Sequence, residues 1–181
     1  MIICLGPVCV PISALIPGLL LLWNAFLKCF RVQGSRTGAS EKLRREWVDD
    51  AERNLLSGQA TEIKGPEQWE EIQKTDIICV LMFTAKWCAP CKTAYPTFAE
   101  LSGRHKGEAL FLLVDADRNE GLALSFGVKV YPTFIVVQGS ADQKRCVLGT
   151  LRGLRGGLPG LENFVGHSIS HNRSMLKNSK K

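Results

Sequence analysis

One hexapeptide limits the folds open to this chain more than anything else in it: Trp87-Cys88-Ala89-Pro90-Cys91-Lys92. An apolar run, Ile77 to Phe83, leads into it, and a helix-compatible run, Lys92 to Leu101, leads out. That order predicts strand, turn and helix, with Cys88 at the first turn of the helix. Unpaired N–H groups and the helix dipole favour an anion at that end. A thiolate is such an anion, so Cys88 is expected to ionise in the range of roughly 3.5–7.5 reached by activated cysteines. A zinc knuckle is the competing use of Cys-x-x-Cys. It needs about four ligands, and neither a second Cys-x-x-Cys nor a nearby His pair stands in the sequence, so no metal is expected.

The neighbouring runs extend the pattern. Strands are predicted over 61–64, 77–84, 109–115, 132–138 and 143–150, and helices over 66–74, 89–105, 118–126 and 158–167. Strands alternate with helices first and then pair as a hairpin around Gly139-Ser140-Ala141-Asp142. The expected class is α/β, a mixed central sheet with helices on both faces. Gly149, Gly153, Gly156 and Gly157 crowd the exit of the last strand, where turns or close backbone approach are expected.

Over roughly residues 60 to 168 the chain resembles thioredoxin. Thr61-Glu62-Ile63-Lys64 resembles that family's first strand and Glu67-Gln68-Trp69 its first helix. Phe83-Thr84-Ala85-Lys86-Trp87-Cys88 resembles its approach to the active site. Pro96 sits where the family kinks the active-site helix, and Val114-Asp115-Ala116-Asp117 resembles the end of its central strand. Gly127-Val128-Lys129-Val130-Tyr131-Pro132-Thr133-Phe134 resembles its cis-proline segment. The resemblance implies the thioredoxin fold and a protein-disulfide reductase that needs no cofactor.

Thiol–disulfide exchange requires an attacking thiolate and a second thiol to resolve the mixed disulfide. Cys88, at the exposed end of the turn, suits the first role. Cys91, a turn later and more buried, suits the second. Ala89 and Pro90 hold the sulfurs close, since proline fits the first helical turn. Trp87 is either core or a flat shoulder beside the nucleophile, and the resemblance favours the shoulder. The resemblance also implies a cis Tyr131–Pro132 bond facing the cysteines, with Tyr131 pairing its backbone to an incoming peptide. Trp87, Ala89, Pro90, Tyr131 and Pro132 thus form the expected substrate groove. One departure stands out. Many thioredoxins keep a buried carboxylate six residues before the nucleophile to move the proton of the second cysteine; here that residue is Met82. Water or another group must then deprotonate Cys91, while the Lys86 amine can favour the Cys88 thiolate. Cys79 and Cys146, on predicted strands, are expected to be buried, inert thiols.

Outside this domain the chain changes character. Ile2 to Leu27 is apolar and uncharged, long enough for a membrane helix of about 20 residues. Pro7, Pro11 and Pro17 interrupt it, so Ile12 to Phe30 is the cleanest helical part. Lys28, Arg31 and Arg36 follow, which predicts an uncleaved anchor with the rest of the chain in the cytosol. A cleaved signal peptide would want positive charge first; a shallow hairpin in one leaflet also fits the prolines. Cys29, and less so Cys4 and Cys9, are candidates for acylation. Residues 31–59 read as linker plus an amphipathic helix from Glu41, capped by Ser40, with Leu43, Trp47, Ala51 and Leu55 on one stripe. Residues 169–181 follow the last acidic residue, Glu162, and read as a basic, disordered tail.

The expected protein is therefore a membrane-held disulfide reductase facing the cytosol, on the endoplasmic reticulum or another endomembrane. Its partners would be protein disulfides and a donor of the thioredoxin-reductase or small-thiol type, not nucleic acid. A lumenal oxidoreductase and a non-enzymatic adaptor are the alternatives. The Asn172-Arg173-Ser174 sequon matters only to the first of these, and the intact cysteine pair argues against the second.

Overall fold

The computed structural model describes residues 2–5, 8–11, 38–140 and 145–178. The chain divides into two compact units, Met1–Leu43 and Arg44–Lys181. In the first, β1 (Ile2–Leu5) pairs antiparallel with β2 (Val8–Pro11), with Cys4 opposite Cys9. Both strands are rich in β-branched residues, which suit extended backbone. The expected membrane helix, residues 12–30, lies outside the described residues. Among the described residues no helix is long and apolar enough to cross a membrane.

Helix α1 (Gly38–Ser57) begins before the predicted cap, so Ser40 lies inside it. Its stripe is used unevenly. Ala51 is 3% exposed and belongs to the core of the second unit, Leu55 packs against that core, and Leu43 is exposed. The Gly107 N–H donates to the Leu55 carbonyl at 2.8 Å.

The second unit continues with β3 (Thr61–Glu62), α2 (Pro66–Ile72), β4 (Ile78–Thr84), α3 (Ala89–Arg104), β5 (Leu110–Asp115), α4 (Glu120–Ser125), β6 (Thr133–Gln138), β7 (Cys146–Arg152) and α5 (Gly157–Asn178). Five strands form one sheet in the order β3-β5-β4-β6-β7. β3 and β4 run parallel to β5; β6 is antiparallel to β4, and β7 to β6. β4 is central, and its five middle residues are all buried, as expected for a strand covered on both faces.

Period-2 alternation divides its side chains between two cores. Cys79, Leu81 and Phe83 join Trp69, Ile72 and Leu112 on one face. Val80 and Met82 join Cys91, Phe98, Phe111, Phe134 and Val165 on the other. Phe98 stacks edge-on to Phe111 at 5.1 Å. Gly149 of β7 lies under α5, where an added Cβ would come within 2.9 Å of the Phe164 ring. That close approach is the work of one of the crowded glycines.

The last helix corrects the sequence reading. It runs to Asn178 instead of stopping near 167, so residues 169–178 are not a disordered tail. Leu161, Val165, Ile169 and Asn172 are all buried. Their spacing of three to four residues extends one stripe past the predicted end, and Arg173 ties it down at Glu108 (2.5 Å). The polar surroundings of that stripe concealed it in the sequence. Asn172, first residue of the sequon, is 6% exposed and so is not presented to solvent.

Candidate active site

The site forms where β4 ends. The chain turns over Ala85, whose carbonyl accepts the Cys88 N–H at 3.0 Å. Cys88 is the N-cap of α3, extended at φ −80° and ψ 99°, and its side chain accepts the Cys91 N–H. That bond is 3.2 Å long. The sulfur therefore takes the place that a serine or aspartate oxygen commonly fills. Pro90 occupies the first helical turn, where its missing N–H has no helical partner to lose. Cys88 and Cys91 are joined as a disulfide, with Cα atoms 5.3 Å apart.

The two sulfurs are not distinguished by burial as expected. Cys88 is 3% exposed and Cys91 2%. What is exposed is the rim: Trp87 at 72%, with Ala89 and Pro90. Trp87 is thus a surface shoulder and not core. Its ring meets Tyr131 edge-on, centroids 5.7 Å apart. The Tyr131–Pro132 bond is cis, and Tyr131 packs against the cluster that contains both cysteines. Phe83 pairs with Thr133 across β4 and β6. That register sets Pro132, one residue earlier, beside the exit of β4. Residues about 40 positions apart in sequence thereby share one surface.

The other thiols separate. Cys79 is buried, and burial pushes its thiol up to about 12. Cys146 is exposed, contrary to expectation. It begins β7, the last strand in the sheet order; strand propensity alone does not distinguish edge from centre. Among the described residues no group of three or more His, Cys, Asp or Glu side chains is placed to hold a metal ion.

Beneath Cys91 lies a cleft of about 400 Å³. Met82 lines it, 1% exposed and apolar, and so do Lys86, Glu62 and Asp115. Lys86 thus borders the same cleft as the second cysteine. Asp115, the last residue of β5, is 8% exposed. The run Val114-Asp115-Ala116-Asp117 marks a strand end in the sequence, but nothing local assigns Asp115 to this cleft. Its place follows from the pairing of Thr84 with Asp115 across β4 and β5.

A mixed five-stranded sheet bearing a Cys-x-x-Cys disulfide at a helix N-cap, opposite a cis-proline, defines a thioredoxin-fold protein. The family model for thioredoxin matches residues 60–152. The chain is 37% identical over 84 residues to Thioredoxin H2-1 of Oryza sativa subsp. japonica, covering 46% of this chain and 60% of that relative's length. Schistosoma mansoni thioredoxin superposes with a TM-score of 0.52 at 27% identity, over 61% of this chain and 96% of that one. A thioredoxin f2 solved in complex with ferredoxin:thioredoxin reductase gives 0.52 at 29% identity, over 62% and 97%. The chain belongs to the thioredoxin family.

Proposed function

We propose that the domain is a thiol–disulfide oxidoreductase that reduces disulfides of other proteins. The observation that carries this reading is the Cys88 sulfur held at the helix N-cap, within bonding distance of Cys91 and beside the cis Tyr131–Pro132 bond. In the reduced protein, the N-cap position favours the Cys88 thiolate. That thiolate attacks a partner disulfide and releases one partner sulfur as a thiolate. Cys91, once deprotonated, attacks the Cys88 sulfur. The Cys88–Cys91 disulfide forms, the second partner sulfur leaves, and the two electrons of the dithiol now reside on the partner. The rim of Trp87, Ala89, Pro90 and Tyr131 receives the partner's segment around the scissile bond, with Tyr131 offering backbone for strand-like pairing.

A reductase-type protein or a small thiol would return the electrons. Support for the reductase comes from the solved thioredoxin f2 complex. Support for a membrane anchor in residues 1–30 and for a cytosolic domain comes from the uncharged apolar run and the basic residues after it.

The activity is tested by following reduction of a disulfide-bonded protein under single-turnover conditions. The reduced chain should convert one substrate disulfide per dithiol, and Cys88→Ser should convert none. Full activity in Cys88→Ser would overturn the reading. Extraction of full-length protein from membranes by alkaline carbonate would overturn the anchor, and protease protection of the domain in sealed vesicles would overturn the cytosolic placement.

A further inference from the structure

We propose that Asp115 is the proton relay for Cys91, standing in for the carboxylate absent at Met82; this rests on the exchange activity proposed above. Met82 belongs to the core that holds Cys91. Met82 pairs with Leu113 and Thr84 with Asp115 in the parallel β4–β5 ladder. Side chains two apart on a strand share a face, so Met82, Thr84, Leu113 and Asp115 all point to the side over which α3 packs. Asp115 is then one strand across from Met82 and two residues nearer the strand ends, where the Cys88–Cys91 turn sits.

The cleft joins these groups. Cys91 and Asp115 line it together, with Glu62 from β3, Lys86 from the turn, and Lys92 and Tyr95 from α3. Asp115 alone among its acids is more than nine-tenths buried; the Glu62 side chain is 51% exposed and faces Arg118 at 3.5 Å. One Asp115 carboxylate oxygen accepts the Asp117 N–H at 3.0 Å, which fixes the group and leaves acceptor capacity for a proton. A cleft of about 400 Å³ has room for water to bridge carboxylate and thiol. In the resolving step the Cys91 proton passes to Asp115, the Cys91 thiolate displaces the partner sulfur from Cys88, and the leaving thiolate takes the proton back from Asp115. No proton or electron is left over.

The test resolves the two steps in the full chain. Reduced protein is mixed rapidly with an aromatic disulfide, quenched in acid and alkylated. Mass spectrometry of the peptide holding Cys88 and Cys91 then counts the mixed disulfide and the internal disulfide with time. Asp115→Asn should leave the first attack unchanged and slow resolution by roughly 10²-fold near neutral pH, the lower end of what a positioned acid–base group supplies. The deficit should close above about pH 9, past the ordinary thiol range, which also shows the variant folded. Met82→Asp added to Asp115→Asn should restore the rate, which a merely structural role for Asp115 would not predict. Glu62→Gln should leave both steps unchanged. Asp115→Ser, which retains an acceptor for the Asp117 amide, replaces Asp115→Asn if that variant does not fold. Resolution at the wild-type rate in a folded Asp115 variant overturns the relay alone. Loss of the first attack in the wild type overturns the exchange activity itself.

Discussion

The Cys91 amide donates to the Cys88 sulfur at 3.2 Å, so the sulfur proposed as nucleophile is capped by the backbone of the residue proposed to resolve it. This makes the two cysteines inequivalent even though both are buried. Cys91→Ser should accumulate mixed disulfides with partner proteins, and Cys88→Ser should not. Non-reducing gels of cell extracts, probed for the two variants, check the assignment; trapping by Cys88→Ser alone would reverse it.

Trp87 touches Tyr131 edge-on while remaining 72% exposed. Trp87→Ala should cost the fold no more than about 0.5–1.5 kcal/mol, the worth of such an aromatic pair. It should cost reduction of a protein substrate about tenfold in kcat/KM, as for an aromatic anchor at an interface. Reduction of a small aromatic disulfide should change far less. Equal losses for both substrates would place Trp87 in the chemistry and not in docking.

Helix α1 covers the domain through Ala51 and Leu55. A chain beginning at Thr61 should still form the sheet, yet be roughly 1–3 kcal/mol less stable than one beginning at Gly38, given about 1.5–3 kcal/mol for a fully buried leucine-sized side chain and less for an alanine or a partly buried leucine. Urea unfolding of the two shortened chains measures the difference. Equal midpoints would mean that α1 only rests on the surface.

Glu71 is pushed up by burial, but Lys74 and Arg44, each at 2.8 Å, outweigh that and hold its carboxyl below the ordinary value of 4.5. A carboxyl lowered by folding stabilises the fold fully above its unfolded value. That contribution is lost as pH falls through the lowered one. Thermal melts taken downward from about pH 6 should therefore show a loss near and below pH 4.5 that is shallower in Glu71→Gln. An identical slope in the variant would remove Glu71 from the acid response.

The thiols outside the site should react in order of exposure. Maleimide added to the oxidised protein near neutral pH should label Cys146 promptly and spare Cys79, which is 1% exposed and pushed up to about 12. Peptide mapping reads both sites at once. Prompt labelling of Cys79 would mean that β4 opens locally.

What the sequence determined by itself was local and periodic. The strand–turn–helix around Cys88 and Cys91, the continuous apolar run of a central strand, and the Tyr131-Pro132 dipeptide are each legible within about ten residues, because backbone preferences and hydrophobic period act over that range. Tertiary structure decided what depends on register and on which strand lies at an edge. Cys79 and Cys146 both sit on strands, but only the sheet order makes one central and buried and the other marginal and exposed. The stripe Leu161, Val165, Ile169 and Asn172 becomes helix to Asn178 because β7 and α3 lie beneath it, where the sequence showed only a polar tail. Asp115 reaches the cleft of Cys91 because Thr84 pairs with it. A shift of one residue in that pairing would turn its carboxylate to the other face, and no local feature of either strand encodes the choice.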